Sequence, residues 1–285
     1  MAIIMEGKSV SANIKADVAK EIEKLKKLKA DVTLAVVLIG DDPASQVYVR
    51  NKEKACEKVG IKSETIRLSA DTTQADAEKV IKDLANDDKI NGILVQLPLP
   101  KQLDKDALLE LIPEHKDVDG LTRANAAHLY TNTFGIVPCT PQGVIDLLKA
   151  YGIELAGKKA AIIGRSMLVG KPLSLLMLNE NATVTVCHSK TRNIAEITKN
   201  SDIVVCALGK PKFLTADMVS DNCIVVDVGI NRLETGLCGD ADYEAILPKA
   251  YAITPVPGSC GPMTIAELLK NTLKCYKIQH GLINA

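Results

Sequence analysis

The chain has 285 residues, with 35 Lys and Arg against 35 Asp and Glu, so its formal net charge is zero. At roughly 150 residues per domain, this length predicts two domains. The balanced charge and the aromatic content of 3% argue against a nucleic-acid or anionic-membrane partner, which needs a basic surface and, for bases, stacking platforms. The 47% hydrophobic and 25% charged residues are typical of a soluble globular protein.

The apolar stretches are all far shorter than the ~20 residues that span a bilayer. The N-terminal segment MAIIMEGKSV lacks the basic start, long apolar core and cleavage site of a signal peptide, so we expect a cytoplasmic protein. The 8 cysteines are scattered without a C-x-x-C pair, and several lie in or beside apolar strand-like runs. This distribution predicts reduced thiols rather than disulfides.

Helical and strand patterns alternate through the first half of the chain. Apolar residues recur at helical spacing over 14–28, which predicts an amphipathic first helix. Strands are then predicted at 33–39, 62–68 and 92–97, and helices at 45–59, 74–84 and, capped by Asp104, up to 112. The segment 113–139 is rich in loop residues and is predicted to end the first domain.

The second half continues the alternation. Thr140-Pro141 predicts the N-cap and first position of a helix that Gly152 ends, and Thr264 with Glu267 predicts a capping box for the terminal helix. Strands are predicted at 159–163, 183–187, 203–207, 224–228 and 250–254. Alternating strands and helices predict an α/β fold, with parallel sheets covered by helices on both faces.

A glycine-containing turn follows the predicted strand at 159–163 and precedes a helix. It reads Gly164-Arg165-Ser166-Met167-Leu168-Val169-Gly170-Lys171-Pro172. A strand, a glycine turn and a helix N-terminus together present free backbone N–H groups to a pyrophosphate, as dinucleotide sites do. Ser166 stands where the G-x-G-x-x-G pattern has its middle glycine, so the turn alone also fits a tight connection that binds nothing.

The end of the next predicted strand indicates which dinucleotide would bind. An NAD site places Asp or Glu there to bind the ribose 2′-OH. This chain instead has Cys187-His188-Ser189-Lys190-Thr191-Arg192, with hydroxyl and basic groups and no acid. Together with Arg165, this set suits a 2′-phosphate and favours NADP over NAD. The alternative is that Lys190 and Arg192 only begin a solvated helix.

A tyrosine and a lysine lie four residues apart on the second predicted helix. Ser45, Tyr48 and Lys52 recur at spacings that place them on one helix face. A lysine that burial or a nearby cation keeps neutral can accept a proton, and the tyrosine ring would lie beside it. Pairs of this kind also occur for packing and solvation alone.

Two further polar sites lie in the first half. Gln96 interrupts the apolar run at 92–97, at the carboxyl end where open α/β sheets bind ligands, and it also fits an ordinary hydrogen-bonded core amide. Asp117 and Asp119, just before Gly120, suit either a polar heterocycle or a stabilised turn. No His or Cys joins these carboxylates at ligand spacing, so no metal is predicted.

Ordered motifs run through nearly the whole chain. They are Tyr48-Val49-Arg50-Asn51-Lys52, Gly92-Ile93-Leu94-Val95-Gln96-Leu97-Pro98-Leu99-Pro100, Lys116-Asp117-Val118-Asp119-Gly120-Leu121, Pro138-Cys139-Thr140-Pro141-Gln142-Gly143, Gly164-Arg165-Ser166 with Val169-Gly170-Lys171-Pro172, Asp227-Val228-Gly229-Ile230-Asn231, and Pro255-Val256-Pro257-Gly258 with Gly261-Pro262-Met263-Thr264. With these motifs the chain resembles the bifunctional methylenetetrahydrofolate dehydrogenase/methenyltetrahydrofolate cyclohydrolase family.

The resemblance implies two α/β domains with a cleft between them. Residues 1–139 would form an N-terminal domain like that of amino-acid dehydrogenases, which binds folate and holds the catalytic residues, and the terminal helix at 265–285 would pack back on it. Residues 140–264 would form a Rossmann-type NADP-binding domain with a parallel sheet. Members of the family are typically dimers, so a homodimer is expected.

The implied activity is bifunctional. NADP would oxidise 5,10-methylenetetrahydrofolate to the 5,10-methenyl cation, which water would hydrolyse to 10-formyltetrahydrofolate. Loss of hydride leaves a cation stabilised by two flanking nitrogens, and water can add to the same carbon without release of the folate. Proximity and orientation would supply most of the dehydrogenase rate.

The family pattern also implies residue roles. Lys52 would assist the cyclohydrolase step and be held by Gln96, while Tyr48 would stack along the folate and Asp119 would pair with the polar edge of the pterin. Arg165 and Ser189 would take the 2′-phosphate. The remaining implied contacts are Gly164, Ser166 and Ile230 for the cofactor, and Pro257 and Gly258 for the folate.

Two adjacent positions depart from the family pattern. Ser259-Cys260 replaces the usual Gly-Val. Glycine allows the backbone to approach a ligand closely, and side chains at these positions would narrow the cleft. We therefore expect altered contacts with the folate tail rather than loss of activity. The alternative functions are a dehydrogenase-only member, an amino-acid-type dehydrogenase and a protein that binds NADP without turnover. Lys52 together with Gln96 argues against the first two, and an intact catalytic motif set argues against the third.

Overall fold

A computed structural model of the chain describes residues 1–234 and 236–283. Its strands are β1 (Ile3–Ile4), β2 (Thr33–Ile39), β3 (Lys62–Leu68), β4 (Gly92–Val95), β5 (Lys159–Ile163), β6 (Thr183–Cys187), β7 (Ile203–Cys206), β8 (Ile224–Asp227), β9 (Asn231–Leu233), β10 (Gly236–Cys238) and β11 (Ala252–Ile253). Its α-helices are α1 (Gly7–Lys27), α2 (Pro43–Val59), α3 (Gln74–Asn86), α4 (Lys105–Leu109), α5 (Arg123–Thr131), α6 (Cys139–Ala150), α7 (Gly170–Asn179), α8 (Ile194–Lys199), α9 (Tyr243–Ile246) and α10 (Cys260–Gln279).

The contacts divide the chain into two units, each made from two stretches of sequence. We call residues 13–139, together with those from 265 onward, the three-stranded unit, and residues 1–12 with 140–264 the six-stranded unit. The predicted first domain was 1–139. Residues 1–12 instead group with 140–264 because β1 pairs in parallel with β11, the last strand of the chain.

In the three-stranded unit, β2 is the central strand, with β3 and β4 parallel to it on either side. Every residue of β2 is buried, and a strand covered on both faces has a continuous apolar sequence rather than an alternating one. Leu34, Val36 and Leu38 pack in a cluster with α1, α2 and α10 residues. Ala35 and Val37 face the other way, against α3 and α4.

In the six-stranded unit, all strand pairs of the main sheet are parallel, in the order β1-β11-β8-β7-β5-β6. β6 lies on one side of β5, and the chain then crosses back to β7 on the other side. This reversal between β5 and β7 is a topological switch point, where open α/β sheets bind ligands at the carboxyl ends of the strands. The predicted α/β class with parallel sheets is confirmed.

Two predicted helix caps are wrong. α6 begins at Cys139, so Thr140 lies inside the helix, with its hydroxyl oxygen 2.9 Å from that of Thr264. α10 begins at Cys260, five residues before Ile265, the first helical position that a capping box at Thr264 requires. The Thr264 hydroxyl donates instead to the Cys260 carbonyl over 3.0 Å, as Ser and Thr do within helices.

The segment 113–139, predicted as loop, contains α5. Thr122 is its N-cap, and its hydroxyl accepts a hydrogen bond from the Asn125 N–H over 3.3 Å. Asn132 ends the helix in the left-handed conformation with φ 53°. The helix is short and has little apolar periodicity, so these polar caps rather than an amphipathic face define it.

The cysteines are all free thiols, and Cys238 alone among the eight is not fully buried. No helix within the described ranges is long and apolar enough to cross a membrane. Across residues 1–234 and 236–283, no group of three or more His, Cys, Asp or Glu side chains is arranged to hold a metal ion.

Candidate active site

A lysine–amide hydrogen bond lies at the carboxyl end of β4. Asp42 caps α2, with its carboxylate accepting from the Ser45 N–H over 2.7 Å, and the helix then presents Tyr48 and Lys52 one turn apart on one face. The Lys52 Nζ donates to the Gln96 Oε1 over 3.0 Å. Lys52 is half-buried, whereas Tyr48 leaves 43% of its surface exposed.

Gln96 is held in place by a hydrogen bond from its backbone and another from its side chain. Its backbone N–H donates to the Val37 carbonyl over 2.9 Å, which extends the pairing of β4 with β2. Its side-chain Nε2 donates to the Leu97 carbonyl over 2.6 Å. Lysine has only donors, so the amide oxygen is the atom that faces Lys52. Gln96 is therefore both a hydrogen-bonded buried amide and the partner of Lys52.

The two neighbouring acids differ in their surroundings. Asp117 is buried and accepts hydrogen bonds from the Thr122 N–H and the Asn125 Nδ2, at 2.9 and 3.0 Å, which stabilises the turn. Asp119 is half-buried. Loss of water raises the pKa of the Asp119 carboxyl, while the nearby Lys52 ammonium opposes that rise.

The three-stranded unit thus brings Lys52, Gln96 and Asp119 together, with Tyr48 one helical turn away. We call these four residues the lysine site. An amine held by a neutral amide, beside a carboxylate and an exposed aromatic ring, can move a proton at a cationic, polar heterocycle.

The turn between β5 and α7 depends on two glycines. Gly164 has φ 136°, and an added Cβ there would lie 2.3 Å from the Ala207 carbonyl oxygen. A Cβ on Gly170 would lie 2.1 Å from the Gly164 carbonyl oxygen. Glycine therefore allows the turn to close against the end of β7 and the start of α7, as the first and last glycines of a dinucleotide fingerprint do.

The predicted cofactor residues lie at the carboxyl ends of several strands. Arg165 and Ser166 are exposed in the turn after β5, where the Ser166 Oγ accepts from the Val169 N–H over 3.1 Å. Ser189 is exposed just after β6, and Ile230 is 44% exposed after β8. Because β5, β6 and β8 are parallel within one sheet, these residues share one edge of it.

This edge fits a dinucleotide carrying a 2′-phosphate. The exposed turn places backbone N–H groups at the start of a ten-residue helix whose first turn has no acidic residue, and such a helix start favours an anion. The residues that follow β6 are hydroxyl and basic, with no acid to bind a 2′-OH. The glycine turn leaves the space that a side chain at Gly164 would fill.

Two buried acids beside this edge were missed as functional residues. Asp240 is fully buried, and its carboxylate accepts hydrogen bonds from the N–H groups of Leu208, Gly209 and Lys210, at 2.6, 2.9 and 2.8 Å, and from the Asn231 Nδ2 at 2.8 Å. Asp227 accepts hydrogen bonds from the N–H groups of Gly229, Asp240 and Ala241. Burial raises the pKa of Asp227 to about 6. The two acids hold the loops that follow β7 and β8, and the Asp227-Val228-Gly229-Ile230-Asn231 motif was the available signal.

The side chains of Ser259 and Cys260, the two residues that depart from the family pattern, are buried inside the six-stranded unit. The Ser259 Oγ donates to the Met5 carbonyl over 2.9 Å, and the Cys260 Sγ donates to the Asp227 carbonyl over 3.4 Å. The preceding Val256–Pro257 peptide bond is cis, and Gly258 has φ 125°. Pro257 is exposed and Gly258 half-buried.

A nucleotide-binding sheet edge in one unit and a lysine site in the other define a dinucleotide-dependent enzyme. Comparison with known families gives its identity. A family described as "Tetrahydrofolate dehydrogenase/cyclohydrolase, catalytic domain" matches residues 5–119, and "Tetrahydrofolate dehydrogenase/cyclohydrolase, NAD(P)-binding domain" matches residues 138–280. The chain belongs to the tetrahydrofolate dehydrogenase/cyclohydrolase family, which confirms the resemblance seen in its motifs.

Relatives match the chain over almost its full length. The "Bifunctional protein FolD" of Campylobacter concisus is 56% identical over 271 residues, covering 95% of this chain and 96% of the relative. The crystal structure of the bifunctional FolD methylenetetrahydrofolate dehydrogenase/cyclohydrolase from Campylobacter jejuni is 48% identical, with a TM-score of 0.96 and coverage of 97% and 99%. The Trypanosoma brucei FolD structure, complexed with NADP cofactor and inhibitor, is 35% identical, with a TM-score of 0.94 and coverage of 99% for both chains.

Proposed function

We propose that this chain is a bifunctional folate enzyme. With NADP it oxidises 5,10-methylenetetrahydrofolate to 5,10-methenyltetrahydrofolate, and it hydrolyses that product to 10-formyltetrahydrofolate. The observation that carries the hydrolytic half is the 3.0 Å hydrogen bond between the Lys52 Nζ and the Gln96 Oε1. Family membership supports both halves, since relatives at 56% and 48% identity are named as bifunctional.

In the hydrolytic step, water adds to the methenyl carbon and must lose a proton. The neutral amine of Lys52 accepts that proton at Nζ, and Gln96 holds Nζ in place. A cationic folate beside Lys52 favours the neutral amine because like charges repel. When the bond from this carbon to the ring nitrogen breaks, the Lys52 ammonium returns the proton to that nitrogen. The remaining hydroxyl proton leaves to solvent as the formyl C=O forms, so the lysine ends the cycle unchanged and one proton is released overall.

The other residues of the lysine site bind and orient the folate. The Asp119 carboxylate accepts hydrogen bonds from the polar edge of the pterin, and the Tyr48 ring stacks along the folate. Pro257 and Gly258 are proposed as further substrate contacts, on the basis of the Pro255-Val256-Pro257-Gly258 motif. The expected rate gain comes from orientation, since a bound and aligned reactant needs no encounter step.

The six-stranded unit binds the cofactor. NADP supplies the hydride acceptor when bound. The backbone N–H groups of the turn from Gly164 to Ser166 bind the pyrophosphate, and the Arg165 guanidinium and the Ser189 hydroxyl bind the 2′-phosphate. Ile230 gives the site an apolar wall.

We also propose that the enzyme is a cytoplasmic homodimer and that its product supplies formyl groups for purine biosynthesis. These proposals are supported by the family resemblance. The alternative function is a single-activity dehydrogenase of the same family, but the Lys52–Gln96 pair, which the oxidation does not need, favours two activities.

A two-cofactor assay tests the proposal. The purified chain is given 5,10-methylenetetrahydrofolate with NADP or NAD, and reduced cofactor and the methenyl chromophore are followed in parallel. We expect reduction mainly of NADP, with little methenyl product accumulating. Accumulation of the methenyl species would favour the single-activity dehydrogenase, and no reduction with either cofactor would refute the proposed function.

A further inference from the structure

The segment that carries Asp119 is held by a residue of α10 that none of the motifs includes. Asn271 is buried, with 7% of its surface exposed. Its Nδ2 donates to the Val118 carbonyl over 3.0 Å and to the Val137 carbonyl over 2.9 Å. An amide NH₂ has two protons to donate, and both are used to join these two stretches of backbone.

We propose that Asn271 is a positioning residue for folate binding, which acts by holding the Asp119 carboxylate in its binding position. The inference deepens the proposed function and rests on it, because it takes Asp119 as the group that recognises the pterin. Asn271 would not itself contact the substrate.

The Val118 side of this segment is pressed against β4. An added Cβ on Gly92 would lie 2.4 Å from the Val118 Cγ1, so the glycine leaves the space that Val118 occupies. Asp117 forms an isolated parallel bridge with Ile93. The backbone just before Asp119 is therefore fixed to the sheet.

The opposite side is packed against the backbone at 136–139. Gly120 has φ 64°, and an added Cβ would lie 2.8 Å from the Ile136 carbonyl oxygen. The Cys139 thiol donates to the Val118 carbonyl over 3.3 Å, and its interaction with the Asp119 carboxyl lowers the pKa of that acid against the rise from burial. Asp119 thus lies where two tightly packed stretches meet, and Asn271 joins the same two stretches through hydrogen bonds.

The chemistry of Asn271 points to positioning rather than to filling space. Its neighbours in α10, such as Leu268 and Leu269, are buried apolar residues, and an apolar side chain would fill the position without the desolvation that an amide requires. Hydrogen bonds fix direction as well as distance. One of them fixes the Val118 carbonyl, directly before Asp119, and the other ties it to the 136–139 stretch that packs against Gly120, so together they fix the backbone that orients the carboxylate.

A double-mutant cycle tests the proposal with the full chain. Asn271→Leu, Asp119→Ala and the double variant are compared for KM and kcat with 5,10-methylenetetrahydrofolate and for KM with NADP. We expect Asn271→Leu to raise the folate KM about tenfold, the size of one lost hydrogen bond, with a smaller change in kcat and an unchanged KM for NADP. In the Asp119→Ala background, the same substitution should produce no further rise.

Asn91→Leu is the matched control. Asn91 is another buried amide of the three-stranded unit, and it accepts from the Thr33 N–H and contacts Gln279 rather than the Asp119 segment. Its replacement should lower thermal stability and leave the folate KM unchanged. If Asn271→Leu does not fold, Asn271→Ser, which retains one hydrogen-bond donor, takes its place in the same kinetic comparisons, with the same expected results.

The outcomes separate the inference from the function on which it rests. An Asp119→Ala variant with an unchanged folate KM would refute the role of Asp119 itself. If Asp119→Ala raises the folate KM but Asn271→Leu does not, or if the two effects multiply in the double variant, Asn271 is a structural residue and the proposal fails.

Discussion

The Lys52 Nζ lies 3.0 Å from the Gln96 Oε1, and this hydrogen bond joins α2 to the end of β4. Both elements pack on β2, so a buried sheet fixes both partners. The acceptor is a neutral amide oxygen, and it holds the Lys52 Nζ in place through a hydrogen bond. That arrangement suits a lysine that must release and accept a proton in each cycle.

Replacement of Lys52 should separate the two activities. In Lys52→Met, we expect cyclohydrolase turnover to fall by at least about 10²-fold, the usual contribution of a positioned proton-transfer group, while NADP binding and the fold remain. The check is methenyl hydrolysis measured above the spontaneous rate. Lys54→Met, at an exposed position on the same helix, is the control and should retain full activity. Wild-type hydrolysis by Lys52→Met would refute the role of Lys52.

Replacement of Arg165 should reduce the preference for NADP. A charge-assisted hydrogen bond is worth about 1.5–3 kcal/mol, so Arg165→Ala should raise the KM for NADP by roughly 10- to 100-fold and change the KM for NAD little. Steady-state assays with both cofactors measure the ratio. Lys159→Ala removes an exposed lysine at the amino end of β5 and should alter neither value. Equal losses for both cofactors in Arg165→Ala would indicate no 2′-phosphate contact.

A methyl group at Gly164 should disturb the cofactor turn through contact with Ala207. Gly164 and Gly157 both have positive φ, at 136° and 74°, but only the added Cβ at Gly164 meets a neighbour, the Ala207 carbonyl oxygen at 2.3 Å. We expect Gly164→Ala to destabilise the fold by more than about 1 kcal/mol and to weaken NADP binding. Gly157→Ala should lower stability less and leave the Kd for NADP unchanged. Calorimetric melting and equilibrium dialysis of NADP distinguish the two variants.

The Asp227 carboxyl should make stability depend on pH in the mildly acidic range. Its pKa is about 6 in the folded chain, against 3.8 for a free side chain, so the folded state binds this proton more tightly than the unfolded state. The contribution of Asp227 to stability therefore falls as pH rises from 3.8 to about 6, by on the order of 3 kcal/mol, and is constant above that range.

Comparison with Asp227→Asn isolates this effect from the other carboxylates. Between pH 4 and pH 6, the melting temperature of the wild-type chain should fall relative to that of Asp227→Asn. Above pH 6, the difference between the two melting temperatures should stay constant. Glu154→Gln, which neutralises an exposed carboxylate of the same unit, should show no such trend. Titration of the Asp227 carboxyl carbon by ¹³C NMR gives the pKa directly, and a midpoint near 4 would contradict the prediction.

Strands of the two parallel sheets were the most predictable part of the fold. The observed bounds of β2, β3, β5 and β6 equal the predicted ones, because each is a short apolar or alternating run ended by a glycine or a polar turn. The hairpin of β9 and β10 was missed. Its strands have three residues each and are largely exposed, so burial imposes no pattern on their sequence.

The residues of the candidate site that lie within a recognised sequence motif could be predicted. Lys52 and Gln96 lie 44 residues apart in sequence, and their proximity follows from parallel pairing of β4 with β2. Asn271 and Asp240 were not predictable in this way. Asn271 acts through backbone carbonyls and Asp240 mainly through backbone N–H groups, which any residue type provides. Most of the residues that they hold therefore leave no pattern in the sequence.

The pairing of β1 with β11 has a consequence for synthesis of the protein. Ile3 lies opposite Ala252, about 250 residues later in the chain, and such distant pairings are slow to form. The three-stranded unit likewise needs Leu268 and Leu273 of α10 to cover the face of β2. Each unit is completed by residues from position 252 onward. A nascent chain on the ribosome therefore cannot complete either core until these late residues have been translated, and until then it exposes apolar surface that chaperones bind.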